Sequence, residues 1–173
     1  MPTSLYQATV PQFVQVLTAL AGLVDKARAH CADKALPDES LTELRLAPDM
    51  WPFAKQVMAA CQHSAGAVTG AQSGETGPDL TPPPLSLDAL ASAVAAAIAS
   101  LQAIAPEQID GIASDEMAFV FGERRMLFSA EDYLLSFAQP NFYFHAAMAY
   151  AALRNQGLEV GKRDFMGTPR MKG

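Results

Sequence analysis

From Ser129 to Gly157 the chain reads SAEDYLLSFAQPNFYFHAAMAYAALRNQG, a run in which Arg154 is the one charged residue after Asp132. The Ser129 hydroxyl can cap a helix, with Asp132 three residues on, and Gly157 supplies the left-handed stop. A helix this apolar over most of its circumference belongs inside a bundle, because a solvent-facing one carries charge along about half of its surface. The segment therefore predicts a central bundle helix with a single imidazole, His145.

The rest of the chain supplies its partners. Thr9 with Pro11 just inside predicts a helix start, and Phe13, Val16, Leu17, Leu20, Leu23, Val24 and Ala27 then repeat at spacings of three and four, to about Ala32. The stretch from Asp33 to Pro48 reads as a loop holding one turn near Leu41 to Leu46. A second helix is expected from about Asp49, with Pro52 near its first turn and a seam of Phe53, Val57, Ala60 or Cys61, Ser64 and Val68, ending near Gly70. Residues 73–85 have no period and hold three consecutive prolines, so they read as a crossing linker. A third helix follows from Ser86, with Leu87, Leu90, Val94, Ile98, Leu101 and Ala105 as its stripe and Pro106 closing it.

Between Glu116 and Phe128 the period changes to two, around Gly122-Glu123, which predicts a hairpin over 116–128 with a type II′ loop. Residues 158–173 form a tail that Asp164 and Phe165 are placed to dock. With no repeat and no second composition regime, residues 1–173 read as a single domain. The fold class expected is all-α, a four-helix bundle with a small β-hairpin between helices three and four.

Composition narrows the function classes. Half of the residues are hydrophobic and 17% are charged, so the chain has ample apolar material to offset the entropy of ordering. A net charge of -6 with 12 Lys and Arg argues against nucleic acid, and the basic residues Lys162, Arg163, Arg170 and Lys172 of the tail read as a solvated end. The Ala-rich stretch from Leu85 to Ala105 is interrupted by Asp88, Ser92, Ser100 and Gln102, so no membrane association is expected. Cys31 and Cys61 are too few for a disulfide framework, and a reducing cytoplasm is the natural compartment. No Gly-rich phosphate loop occurs, and neither cysteine has the surroundings of a nucleophile.

Candidate site residues cluster around His145. Its bland role is a packed core imidazole among Phe142, Phe144 and Met148; its functional role is a base or ligand facing a pocket at the bundle end. Asp49 and Trp51 stand at the expected start of helix two, where a carboxylate favours the helix dipole. Gln56 lies one turn from Phe53 and Ala60, so a buried amide there needs partners such as Asn141 or His145. His30 is too far along its helix to share an ion with His63, and His63 with His145 makes only a two-imidazole site.

Taken together, RLAPDMWPFAKQV (Arg45 to Val57), PNFYFHAAMAYAALRNQG (Pro140 to Gly157) and GKRDF (Gly161 to Phe165) resemble an uncharacterised bacterial branch of the DinB/YfiT-like superfamily, a domain of unknown function. The resemblance spans nearly the whole chain. It implies a four-helix bundle, often a homodimer, related to metalloenzymes with one His on helix two and a His-x-x-x-His pair on helix four. Here His145 matches the first His of the pair and Ala149 stands at the second. A three-His centre is therefore not expected, and no cofactor is.

Two functions follow. One is a metal-free protein that binds a small ligand or partner in a pocket between helices two and four, lined by Trp51, Gln56, Asn141 and His145, with Asp49 near its rim. The other is a metal-dependent enzyme of thiol-transferase or hydrolase type that uses His145, completed by His63 or Asp49.

Overall fold

Ser4, not Thr9, begins the first helix. Its hydroxyl accepts from the Gln7 amide at 3.3 Å, and α1 runs Leu5–Lys34. Pro11 thus sits inside the helix, where its missing N–H leaves the Gln7 carbonyl without an intrahelical donor. The longer helix still wins because Leu5, Thr9 and Val10 extend the buried stripe that Phe13, Val16 and Leu17 continue. Ala35 ends α1 in the left-handed conformation (φ 51°), with the Leu36 amide on the Cys31 carbonyl at 2.9 Å. The computed structural model describes residues 3–171, so Lys172 of the basic tail lies outside the described residues.

After the short turn α2 (Glu39–Thr42) comes the second long helix, displaced from its expected start. Asp49 lies in an exposed turn, and helix begins only after Pro52, because the residue before a proline is pushed out of helical geometry. The helix runs as α3 (Phe53–Cys61), a π-helical segment Gln62–Gly66 and α4 (Ala67–Ser73). The wider turn has a local cause: the buried Ser64 hydroxyl bonds back to the Ala60 and Cys61 carbonyls at 2.7 and 3.1 Å, competing with the regular ladder.

The linker is less featureless than its composition suggests, since it opens with a short strand, β1 (Glu75–Thr76). α5 (Leu87–Gln102) follows, capped by Ser86, whose hydroxyl accepts from the Ala89 amide at 3.3 Å. Replacing this cap, Ser86→Ala, is expected to lower the unfolding free energy by about 1 kcal/mol in a urea melt. A single turn, α6 (Glu107–Asp110), leads to β2 (Glu116–Phe121) and β3 (Arg124–Ser129). The sheet has the order β1-β2-β3, with β1 parallel to β2 and β3 antiparallel to it. Gly122 has φ 59° while Glu123 does not have positive φ, as a type II′ loop requires.

The fourth long helix starts where the sequence places it. The Ser129 hydroxyl accepts from the Asp132 amide at 3.0 Å, and helix runs as α7 (Ala130–Asp132), a π-helical segment Tyr133–Ala138 and α8 (Gln139–Asn155), with Gly157 left-handed beyond it. Here Pro140 explains the wider turn, because it cannot donate to the carbonyl four residues back. The four long helices enclose one core in which Phe13 meets Phe142 edge-to-face at 4.9 Å. α1 is long and apolar enough to span a membrane, and half of its apolar window is buried in this core. A last turn, α9 (Lys162–Met166), docks on α1 through Lys26 and Asp164 at 2.7 Å, while Phe165 packs on Tyr150. The resulting architecture is a bundle of four long helices with a small three-stranded sheet.

Candidate functional site

His145 is 6% exposed and is the middle member of a stack of rings. The Trp51 ring lies nearly parallel to it at 5.3 Å and 11°, and the His63 ring at 5.5 Å and 13°. The edge of Phe144 approaches at 5.2 Å. The chemistry of this ring rests on its two nitrogens.

One of them is fixed by Gln56. Its Nε2 donates to the Trp51 carbonyl at 3.2 Å, which turns Oε1 toward His145 Nδ1 at 2.7 Å. The reversed amide would set oxygen against the Trp51 carbonyl, so Oε1 must be the acceptor and Nδ1 must carry the hydrogen. The neutral ring then presents an unprotonated Nε2. This atom bonds to no described residue, yet no fully buried side-chain polar atom is left unpartnered among the described residues, so Nε2 reaches accessible space. Burial, with His63 and Lys55 nearby, pushes His145 down to about 4, and burial does the same to His63. Both imidazoles are therefore neutral near pH 7.

Two cavities flank the stack. An apolar cleft of about 280 Å³ is lined by Met50, Trp51, Gln56, Phe144 and His145. A smaller one of about 50 Å³ lies under the linker, between Lys55, Met58, Gln62 and His63 of the second long helix and Phe119 and Tyr133. Its roof is a strap, residues 77–81, tied down by side chains from below. Lys55 Nζ donates to the Asp79 and Thr81 carbonyls at 2.8 and 3.1 Å, and Gln62 Nε2 donates to the Gly77 carbonyl at 3.2 Å. Gly77 is needed where the strap crosses β2, because a Cβ there would meet the Val120 carbonyl oxygen at 2.6 Å.

Of the residues expected in a pocket, Trp51, Gln56 and His145 come together as one bonded and stacked unit. Asn141 does not join them: its amide donates to the Phe137 carbonyl at 2.8 Å within its own helix, and it lines neither cavity. Asp49 is neither a helix cap nor a wall of either cavity, since helix starts four residues later and its turn is exposed. The sequence reading missed Lys55, Tyr133 and the stacking role of His63. A signal was present: Lys55, Met58, Ala59, Gln62 and His63 follow the spacing of one helix face, and all line the smaller cavity.

The donors do not fit a three-histidine metal centre. Ala149 is fully buried at the position where the related motif has its second His. His145 Nδ1 is committed to Gln56, and among the described residues no group of three or more His, Cys, Asp or Glu side chains is placed to hold a metal.

Comparison with known proteins agrees with the fold. No curated protein matches the chain. A crystal structure of a DinB family member protein from Shewanella denitrificans is similar over 98% of this chain and 95% of its own, with 27% identity and a TM-score of 0.83. Residues 5–166 match the model of the Domain of unknown function (DUF1993). The chain thus belongs to the DUF1993 family and has the DinB-like helical fold.

Proposed function

We propose that this DinB-like protein binds a small organic molecule without a metal, between the second and fourth long helices where Trp51, Gln56, His63 and His145 meet. The observation that carries the reading is the Gln56–His145 hydrogen bond. A merely packed imidazole needs no fixed tautomer, whereas a ring held with its Nε2 lone pair toward accessible space is set up to accept a hydrogen bond from a ligand. The surrounding walls are mostly aromatic and aliphatic, as in small-molecule sites, with few polar atoms to orient what enters. A metal-dependent thiol transferase or hydrolase would need a third ligand, which no described residue supplies.

Imidazole nitrogen NMR tests this. At neutral pH His145 should show a protonated Nδ1, its Nε2 signal should shift with small aromatic probes, and one equivalent of zinc should leave it in place. In His145→Phe, which preserves the ring stack, binding of those probes is expected to weaken at least about tenfold, or ~1.4 kcal/mol. Unaltered binding in that variant would sink the reading.

The same reading places the protein in the cytoplasm as a homodimer. The free thiols of Cys31 and Cys61 support the compartment. Light scattering should return twice the 18.4 kDa chain mass, and a monomer would overturn the dimer.

A further inference from the structure

We propose that the cavity under the 77–81 strap is a carboxylate site, in which Lys55, His63 and Tyr133 receive the carboxylate of a small organic acid whose apolar body lies along Trp51 and Met58. This rests on the small-ligand reading above and adds a neighbouring subsite to it, since His145 lines the adjoining cleft and not this cavity.

Lys55 is the starting point. Its ammonium has three N–H groups, of which the Asp79 and Thr81 carbonyls take two, and its Nζ lies 5.7 Å from the centre of the Trp51 ring. Carbonyls satisfy hydrogen bonds but cancel no charge. Among the described residues no carboxylate stands within salt-bridge distance of Lys55. The one carboxylate that does line this cavity, Asp79, is turned onto its own strap: Oδ1 accepts the Thr81 amide at 2.8 Å, and contacts to Thr81 hold its carboxyl below the usual range.

The other polar walls are donors without partners. The Tyr133 residue is 2% exposed, and its hydroxyl bonds to no described residue, although no fully buried polar atom is left unpartnered; it therefore opens onto accessible space. Burial pushes its phenol well above the usual range, so it stays an O–H donor. The neutral ring of His63 carries one N–H and likewise bonds to no described residue. A fixed cation with two neutral donors favours a monoanion. A cationic ligand would be repelled, and a neutral amide would gain little from the Lys55 charge, which Asp79 meets only from beyond salt-bridge distance. The volume, about 50 Å³, suits a carboxylate group and not a ring, so the body of the acid must extend along the apolar wall.

Trp51 is the only tryptophan of the chain and reports on the site directly. The test titrates the protein with benzoate and with its neutral isostere benzamide, following Trp51 fluorescence and ligand-observed NMR. Benzoate should saturate at millimolar levels and bind at least about tenfold more tightly than benzamide. Lys55→Met should bring benzoate down to the benzamide level, and Lys55→Arg should retain the preference. Asp79→Asn, which keeps the acceptor for Thr81, should tighten benzoate severalfold. Equal binding of the two probes by the wild-type protein, or a preference that survives Lys55→Met, overturns the carboxylate site and leaves the small-ligand reading standing. If neither probe binds at roughly 10 mM, a concentration at which even weak fragments register, both fall.

Discussion

Phe142→Ala should lower the unfolding free energy by about 3–5 kcal/mol, toward the upper end for a buried aromatic ring. The ring is fully buried and meets Phe13 edge-to-face at 4.9 Å, so the change loses both its transfer free energy and an aromatic pair. What sets the size is whether the gap can close. Along its own helix the neighbouring buried positions are Ala138, Ala146 and Ala149, which have no side-chain length to swing into the space, and His145, which is held by Gln56 at 2.7 Å. Across the gap, α1 is held by α5, α8 and α9 on several sides and cannot move inward as a unit. A cavity therefore stays open, and its cost adds to the transfer term. Urea unfolding followed by circular dichroism measures the loss. Tyr143→Ala, at a half-buried neighbour, should cost far less, and a loss below about 1.5 kcal/mol at Phe142 would mean that the bundle centre is loosely packed.

The same residues show why the architecture was legible. The stripes of α1 and α5 and the seam of the second long helix are periodic, and most of their members are buried where the period puts them; the exceptions are Ile98, which is half-buried, and Ala105, beyond the end of α5. Caps with a side-chain mechanism were also legible, as Ser86 and Ser129 demonstrate. Where a proline competed with a pattern the reading failed in both directions. Pro11 looked like a helix start and is an interior residue, while Pro52 looked like a first-turn residue and is the cap itself. In the first case buried Leu5, Thr9 and Val10 outweigh the lost hydrogen bond; in the second the apolar residues ahead of the proline, Met50 and Trp51, are not part of the buried core.

The site was legible only in part, because it is assembled from segments far apart in the chain. Gln56 and His145 are 89 positions apart, and their pairing followed from the rule that a buried amide needs a partner. Nothing local says that Trp51 will stack on His145 from a loop, since Trp51 lies outside the helix and its place depends on how Pro52 turns the chain. The π-helical segments are a second reason. Each shifts the residues after it around the helix axis, so a face drawn with a uniform period loses its register at Gln62–Gly66 and again at Tyr133–Ala138. Tyr133 opens the second of those segments and was passed over, whereas His63, at the start of the first, still follows the regular face and was weighed only as a metal ligand beside His145.

Acid should destabilise the fold earlier than its carboxylates alone would require, and the cause is the imidazole pair. His63 and His145 each titrate near 4 in the folded protein against about 6.5 in an unfolded chain, so between these values the unfolded state binds more protons. Stability from this source is complete above about pH 6.5 and is lost as pH falls toward 4. With allowance for solvent reaching rings that border cavities, the two together should contribute about 2–3 kcal/mol of loss between pH 7 and pH 5. For His145 the charged form is further disfavoured by His63, stacked at 5.5 Å, and by the Lys55 ammonium nearby. Urea midpoints of the wild-type protein and of His63→Gln/His145→Gln, measured across that window, separate this from background titration: the variant should be nearly flat where the wild-type curve falls. If both curves fall alike, the imidazoles are solvated as in a peptide, and the closed, neutral stack on which the ligand site is built does not exist in solution.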